Sequence, residues 1–308
     1  MESELKNPYQ VITDRVISML NEGVIPWRKP WLDTGSPKSL QSGKPYRGIN
    51  IFMLSATSSF MGYSSPLWLT YRQAQSRGGH VIKGEKGTPV VFWKIMEKES
   101  EDLPDEEEKT RKIPVLKMYT VFNIQQCEGI EYPTPSVHET PFDPIAQCEQ
   151  VVQTMPRPPT IRHGESRAYY RPSTDLLNMP APELFSSNVE YYSTLFHELT
   201  HATGHSTRLN RPSITEASSF GSPGYAKEEL IAEMGATFLC SQVGIEQKTL
   251  ENSVSYINNW LKVLRNDPRL IIYAAAAAQK AVDYIIPQES SQTVIPKMAV
   301  ILDRSWER

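Results

Sequence analysis

The segment His197-Glu198-Leu199-Thr200-His201 lies within the run from Tyr191 to Thr203, and its spacing constrains this chain more than any other feature. On an α-helix, positions i and i+4 share one face, so both imidazoles can reach a single cation while Glu198 projects toward the water bound there. Two histidines and a glutamate in this pattern predict a catalytic zinc site, with His197 and His201 as metal ligands, Glu198 as the catalytic acid–base and Zn2+ as cofactor. Gly204 supplies a stop after the helix.

A catalytic zinc needs a third protein ligand and one open position for water. The metzincin continuation HExxHxxGxxH is followed as far as Gly204, but Thr207 occupies its last histidine position and His205 falls two residues early. The acidic run Glu228-Glu229-Leu230-Ile231-Ala232-Glu233 offers more. Glu229 and Glu233 share a helical face, which is the gluzincin logic of one acid on the metal and a second acid behind a ligating histidine. Glu229 is therefore the expected third ligand and Glu233 the outer carboxylate, with Glu233 and His205 as the alternatives for the ligand position. The remaining acids read as an exposed helix face. The reaction class is peptide-bond hydrolysis, and Ala168–Arg171 reads as an edge strand able to hold an extended peptide.

The net charge of −3 conceals an asymmetry. Residues 1–96 carry 12 Lys/Arg against 6 Asp/Glu, residues 97–112 carry 4 against 8, and the remainder carries 16 against 21. The basic part also holds four of the six tryptophans, and aromatics sit beside cations at Trp27-Arg28, Tyr46-Arg47, Tyr71-Arg72 and Trp93-Lys94. Rings that stack on exposed bases, interleaved with cations that follow phosphates, predict binding to single-stranded DNA. The candidate contacts are Arg28, Tyr46, Arg47, Asn50, Phe52, Trp68, Arg72, Lys83, Lys86 and Lys94, with some of the rings expected in the core.

Helical periodicity predicts helices from Tyr9 to Glu22, over Ala146–Met155, and near 189–203, 225–243, 253–265 and 268–284. A short helix is expected over Thr70–Ser76, and strands over Thr88–Met96 and Val115–Asn123, joined through an acidic tip at 97–112. The proline-rich stretch between Gln126 and Pro144 marks a boundary. The chain thus divides into residues 1–130 (a DNA-binding domain), 131–145 (a linker) and 146–308 (a mainly helical metallopeptidase domain), each half expected to bury its own core. The longest uncharged apolar run, Leu270–Ala278, is too short to span a bilayer, and Met1–Gln10 lacks the pattern of a secretion signal, so no membrane partner and a cytoplasmic location are expected. Cys127, Cys148 and Cys240 are widely spaced and are expected to be reduced.

These segments together resemble the ArdC family of plasmid antirestriction proteins, and the N-terminal part is also similar to TraC-type conjugative primases. The resemblance rests on YQVITDR (9–15), VIPWRKPW (24–31), GKPYRGIN (43–50), SPLWLTY (65–71), GHVIKGEKGTPVVFW (79–93), YTVFN (119–123), YYSTLFHELTHATGHSTRLN (191–210) and YAKEELIAEMG (225–235). It implies an α+β fold of two domains: an N-terminal α+β domain that binds single-stranded DNA and a C-terminal mainly helical zincin-like metallopeptidase domain. It also implies protection of incoming conjugative plasmid DNA from host restriction, with a component of the restriction system among the candidate protein substrates. A DNA-coating protein whose zinc site is structural, or whose peptidase activity is dispensable, is the alternative. An accessory to a replication primase ranks behind both.

Overall fold

The computed structural model describes residues 7–22, 24–27, 36–99, 110–132, 144–216, 223–245 and 253–287. The chain opens on helix α1 (Pro8–Asn21), which begins where the Asn7 side chain accepts the Tyr9 N–H at 3.1 Å and proline occupies the first turn. Its buried stripe is Ile12, Val16 and Leu20. Then follow β1 (Lys38–Ser39), α2 (Ile49–Met61), β2 (Leu67–Thr70), α3 (Tyr71–Ser76), β3 (His80–Val81), β4 (Thr88–Glu99), β5 (Thr110–Asn123) and β6 (Cys127–Glu128). The second half comprises α4 (Pro144–Thr154), β7 (Thr160–His163), β8 (Tyr169–Arg171), β9 (Leu176–Met179), α5 (Asn188–Ala202), α6 (Pro212–Thr215), α7 (Pro223–Gln242), α8 (Ser253–Asn266) and α9 (Leu270–Ile285).

The N-terminal sheet has the order β1-β2-β5-β4, with β4 and β5 paired antiparallel from Thr88↔Val121 to Glu99↔Thr110. A second sheet, β7-β9-β8, lies in the C-terminal part. The expected helices and the β4–β5 hairpin are present, whereas residues 100–109 of the acidic tip and 133–143 of the expected linker lie outside the described residues.

Helix α2 has no counterpart in the periodicity analysis. Its sequence, INIFMLSATSSFM, is apolar or small on all sides, the pattern of a helix buried all round, and it covers the free edge of β4. Asn50 seals that edge: its Nδ2 donates to the Val91 carbonyl and its Oδ1 accepts the Val91 N–H, both at 2.8 Å. An exposed sheet edge is a template for mispairing, and one side chain here satisfies both free groups of Val91.

Four of the expected DNA contacts are therefore structural. Asn50 is committed to the sheet edge, Phe52 and Trp68 are fully buried, and Tyr46 packs in the cluster of Leu54, Trp68, Val90 and Val121. The N-terminal half keeps two small clusters of its own, but the largest hydrophobic cluster runs across both domains. Phe52 stacks on Phe238 with centroids 4.7 Å apart, and Trp27 meets Trp260 edge-on at 5.2 Å. Thr13 Oγ1 donates to the Pro268 carbonyl, Thr237 Oγ1 to that of Trp27, and Arg47 forms an ion pair with Asp283 at 2.5 Å. The two halves are docked rather than loosely tethered.

Removing the edge clamp leaves buried backbone groups unpaired. Asn50→Ala is expected to destabilise the whole chain by roughly 1–3 kcal/mol, measured by urea unfolding; a loss of DNA affinity without a loss of stability would contradict the structural role.

Candidate metal centre

Helix α5 starts where Ser187 accepts the Glu190 N–H, and it buries Tyr192, Leu195, Phe196 and Leu199 against α7 and the core. With that stripe inward, His197, Glu198 and His201 come to the floor of an open cleft of about 810 Å³. Helix α7 crosses α5 at close range: a Cβ on Gly235 would lie 2.5 Å from Thr200 Cγ2, so only glycine permits this approach. The crossing brings Glu229 to the two imidazoles.

The donor atoms converge. His197 Nε2 and His201 Nε2 are 3.1 Å apart, and the Glu229 carboxylate lies 3.5 Å from the first and 3.6 Å from the second. One ligand atom from each of His197, His201 and Glu229 falls within 4.8 Å of the other two. Two imidazole nitrogens and a carboxylate oxygen form a borderline-hard N2O set that suits a divalent transition cation. His205 is not brought into this group; its Nδ1 lies 2.9 Å from Thr207 Oγ1.

Behind the donors, each imidazole has a carboxylate on its Nδ1 side. Glu233 Oε1 is 3.9 Å from His197 Nδ1, as the sequence pattern suggests for an outer acid. Glu228 Oε1 is 3.3 Å from His201 Nδ1. A carboxylate at Nδ1 favours the tautomer that leaves Nε2 free to ligate.

Glu228 is thus not on an exposed helix face. It is 3% exposed, held by Arg211 through Nη2 at 2.6 Å and Nε at 3.1 Å, and by the Ser213 hydroxyl at 2.5 Å. Burial alone would raise its carboxyl, but His201 and Arg211 outweigh burial and hold it down at about 2. Arg211 also donates to the Thr200 carbonyl at 2.8 Å and Thr203 Oγ1 at 2.6 Å, tying the end of α5 to α7. Gly204 makes room for this guanidinium: a Cβ there would meet Arg211 Nη2 at 2.9 Å and Ile214 Cγ1 at 2.6 Å. Arg211 carries no motif signal, and only the need for a cation beside a buried acid could have pointed to it.

Glu198 is buried at the cleft floor, where loss of solvation raises its pKa against the opposing pull of His197, His201 and a Tyr170 backbone hydrogen bond. Tyr170 belongs to β8, which among the described residues is paired only with β9, so the outer edge of β8 lies along the cleft. Tyr225, one turn before Glu229, lines the same cleft and hydrogen-bonds to that carboxylate.

Of the remaining expected DNA contacts, Arg72, Lys83, Lys86 and Lys94 are exposed, Arg47 is occupied by Asp283, and Arg28 lies outside the described residues. The exposed rings Phe92 and Tyr119 carry no signal of their exposure in the sequence, because strand alternation puts them on the same face as the buried Val90 and Val121.

Comparisons with known proteins bear on both halves. A family model described as the N-terminal domain of anti-restriction factor ArdC matches residues 6–122, and one described as a zincin-like metallopeptidase matches residues 147–277. The metal-free crystal structure of antirestriction ArdC protein from the R388 plasmid is 40% identical, with a TM-score of 0.73 and coverage of 92% of this chain and 97% of that one. Its Mn(II)-bound form is 39% identical, with a TM-score of 0.75 and coverage of 93% and 100%. The uncharacterized protein y4eC of Sinorhizobium fredii is 36% identical, with 92% of each chain covered. The chain is also 37% identical to a DNA primase TraC of Escherichia coli over 94% of its own length, but spans only 28% of that primase.

The outer shell can be tested directly. Glu228→Gln is expected to weaken Mn(II) or Zn(II) affinity about 10- to 100-fold in calorimetric titration, with the first-contact donors intact. Unchanged affinity would contradict the role of Glu228 in orienting His201.

Proposed function

Because the chain belongs to the ArdC family of antirestriction proteins and carries a zincin-like metallopeptidase domain, we propose that it is a zinc peptidase that binds single-stranded DNA and protects incoming plasmid DNA from restriction. The observation that carries the peptidase reading is the convergence of His197, His201 and Glu229 beside Glu198 in an open cleft. In this reading His197, His201 and Glu229 hold the cation, and Glu233 and Glu228 orient the two imidazoles. Zinc, when bound, supplies Lewis acidity to a water molecule and to the scissile carbonyl. Glu198 takes the proton from the attacking water and returns it to the leaving amine, so no covalent intermediate is required. The outer edge of β8 offers backbone groups to an extended peptide, aligning it across Glu198.

The DNA-binding reading draws on the basic N-terminal domain and its exposed Arg72, Lys83, Lys86 and Lys94. Among the described residues no helix is long and apolar enough to cross a membrane, and we place the site of action in the cytoplasm. The substrate is a protein, with a component of the restriction system the leading candidate. The docking of the two domains would hold the cleft near the bound strand, giving the peptidase a high local concentration of proteins acting on the same DNA.

Glu198→Ala tests this reading. It is expected to retain zinc content and DNA affinity while abolishing cleavage of restriction-system proteins and protection in recipient cells, measured by metal analysis, strand titration and plasmid survival. Full protection by Glu198→Ala would instead identify a coating activity for which the peptidase is dispensable.

A further inference from the structure

The β4–β5 hairpin has two faces of different character. Residues directly opposite in an antiparallel pair share a face, and the register pairs Val90 with Tyr119, Phe92 with Lys117 and Lys94 with Val115. One face therefore carries Phe92, Lys94, Lys117 and Tyr119 beyond the buried Val90. The other carries Val91, Trp93 and Leu116. There Val91 and Leu116 are in the shared core, and Trp93 is met by Tyr9 at 6.3 Å and Tyr273 at 6.2 Å, so the protein's own rings occupy its surroundings.

Among the described residues, the first face has no such cover beyond Phe92. Tyr46 is buried at its root, 6.1 Å from Phe92, and supports that ring from below. Phe92 and Tyr119 then stand 45% and 47% exposed, 5.8 Å apart and inclined at 66°. Lys117 lies directly across from Phe92, and Lys94 lies two positions further along β4; both are exposed. Neither 88–96 nor 113–121 contains an acidic residue.

We propose that single-stranded DNA lies along this face, with unstacked bases on Phe92 and Tyr119 and the phosphate backbone following Lys94 and Lys117. The placement rests on the strand-binding reading above and assigns it residues. Bases within a duplex are already stacked on one another and offer no free face to these rings. The two lysines, with no acid in either strand segment, favour a polyanion over an apolar protein surface.

The test uses the full chain and a labelled oligothymidylate, followed by fluorescence anisotropy across a salt series. The double variant Phe92→Ala/Tyr119→Ala is expected to bind roughly tenfold or more weakly, whereas Phe92→Trp keeps its affinity. Lys94→Gln/Lys117→Gln should reduce the slope of log affinity against log salt by about 1.4. Arg162→Gln/Lys262→Gln, a charge-matched pair in the C-terminal domain, should leave affinity unchanged. Wild-type affinity in the folded ring variant, or an unaltered salt slope in the lysine variant, overturns the placement while leaving strand binding intact. Absence of binding by the wild type overturns the strand-binding reading itself. Should the ring variant fail to fold, the lysine pair and Phe92→Trp still decide the matter.

Discussion

The close crossing of α5 and α7 is the contact on which the rest of the molecule depends. Gly235 faces Thr200, which is fully buried and pinned by its hydroxyl to the Phe196 carbonyl at 2.8 Å, so the threonine cannot turn aside for a larger neighbour. Glycine inside a helix costs about 1 kcal/mol relative to alanine, and this cost is offset by the approach it permits. One residue beyond Thr200 is His201, and on α7 the carboxylates of Glu228 and Glu229 stand seven and six residues, about two turns, before Gly235. A small displacement between the helices would separate the imidazoles from Glu229 and Glu228 together, because the candidate metal donors and their supports span the same gap.

The same helix joins the domains. Beyond the carboxylates, α7 presents Phe238 to Phe52, and its Thr237 donates to the Trp27 carbonyl. The helix that supplies Glu229 is therefore also a floor for the N-terminal domain, and α9 closes the contact through Gln279 and Asp283. Geometry at the candidate metal centre and the seating of the N-terminal domain share one rigid element. Coupling between the two sites would have a physical route through it.

Much of this was legible in the residues, and what was hidden had particular causes. The i and i+4 spacing of His197 and His201 revealed the site because both residues lie on one helix, and the same spacing singled out Glu229 and Glu233. Glu228 is buried where an exposed acid is expected, because helical position alone says nothing about what covers a face. The apolar run on all sides of α7 was the available signal: a helix enclosed all round must also enclose its acids, which then need a partner such as Arg211. In the N-terminal domain, neighbours in sequence are not neighbours in space. Tyr46 and Arg47 are adjacent, yet the ring enters the core while the guanidinium reaches Asp283. Helix α2 gives no periodic signal because its serines, its one threonine and its apolar residues form no stripe.

The most direct measurement is divalent-cation affinity in Gly235→Ala, a substitution that touches no donor atom and favours the helix by propensity. With helical content retained by circular dichroism, Mn(II) and Zn(II) affinity should fall by about tenfold or more as α7 is pushed from α5. Wild-type affinity in a folded Gly235→Ala protein would contradict the account, since the donors would then be assembled without the close crossing.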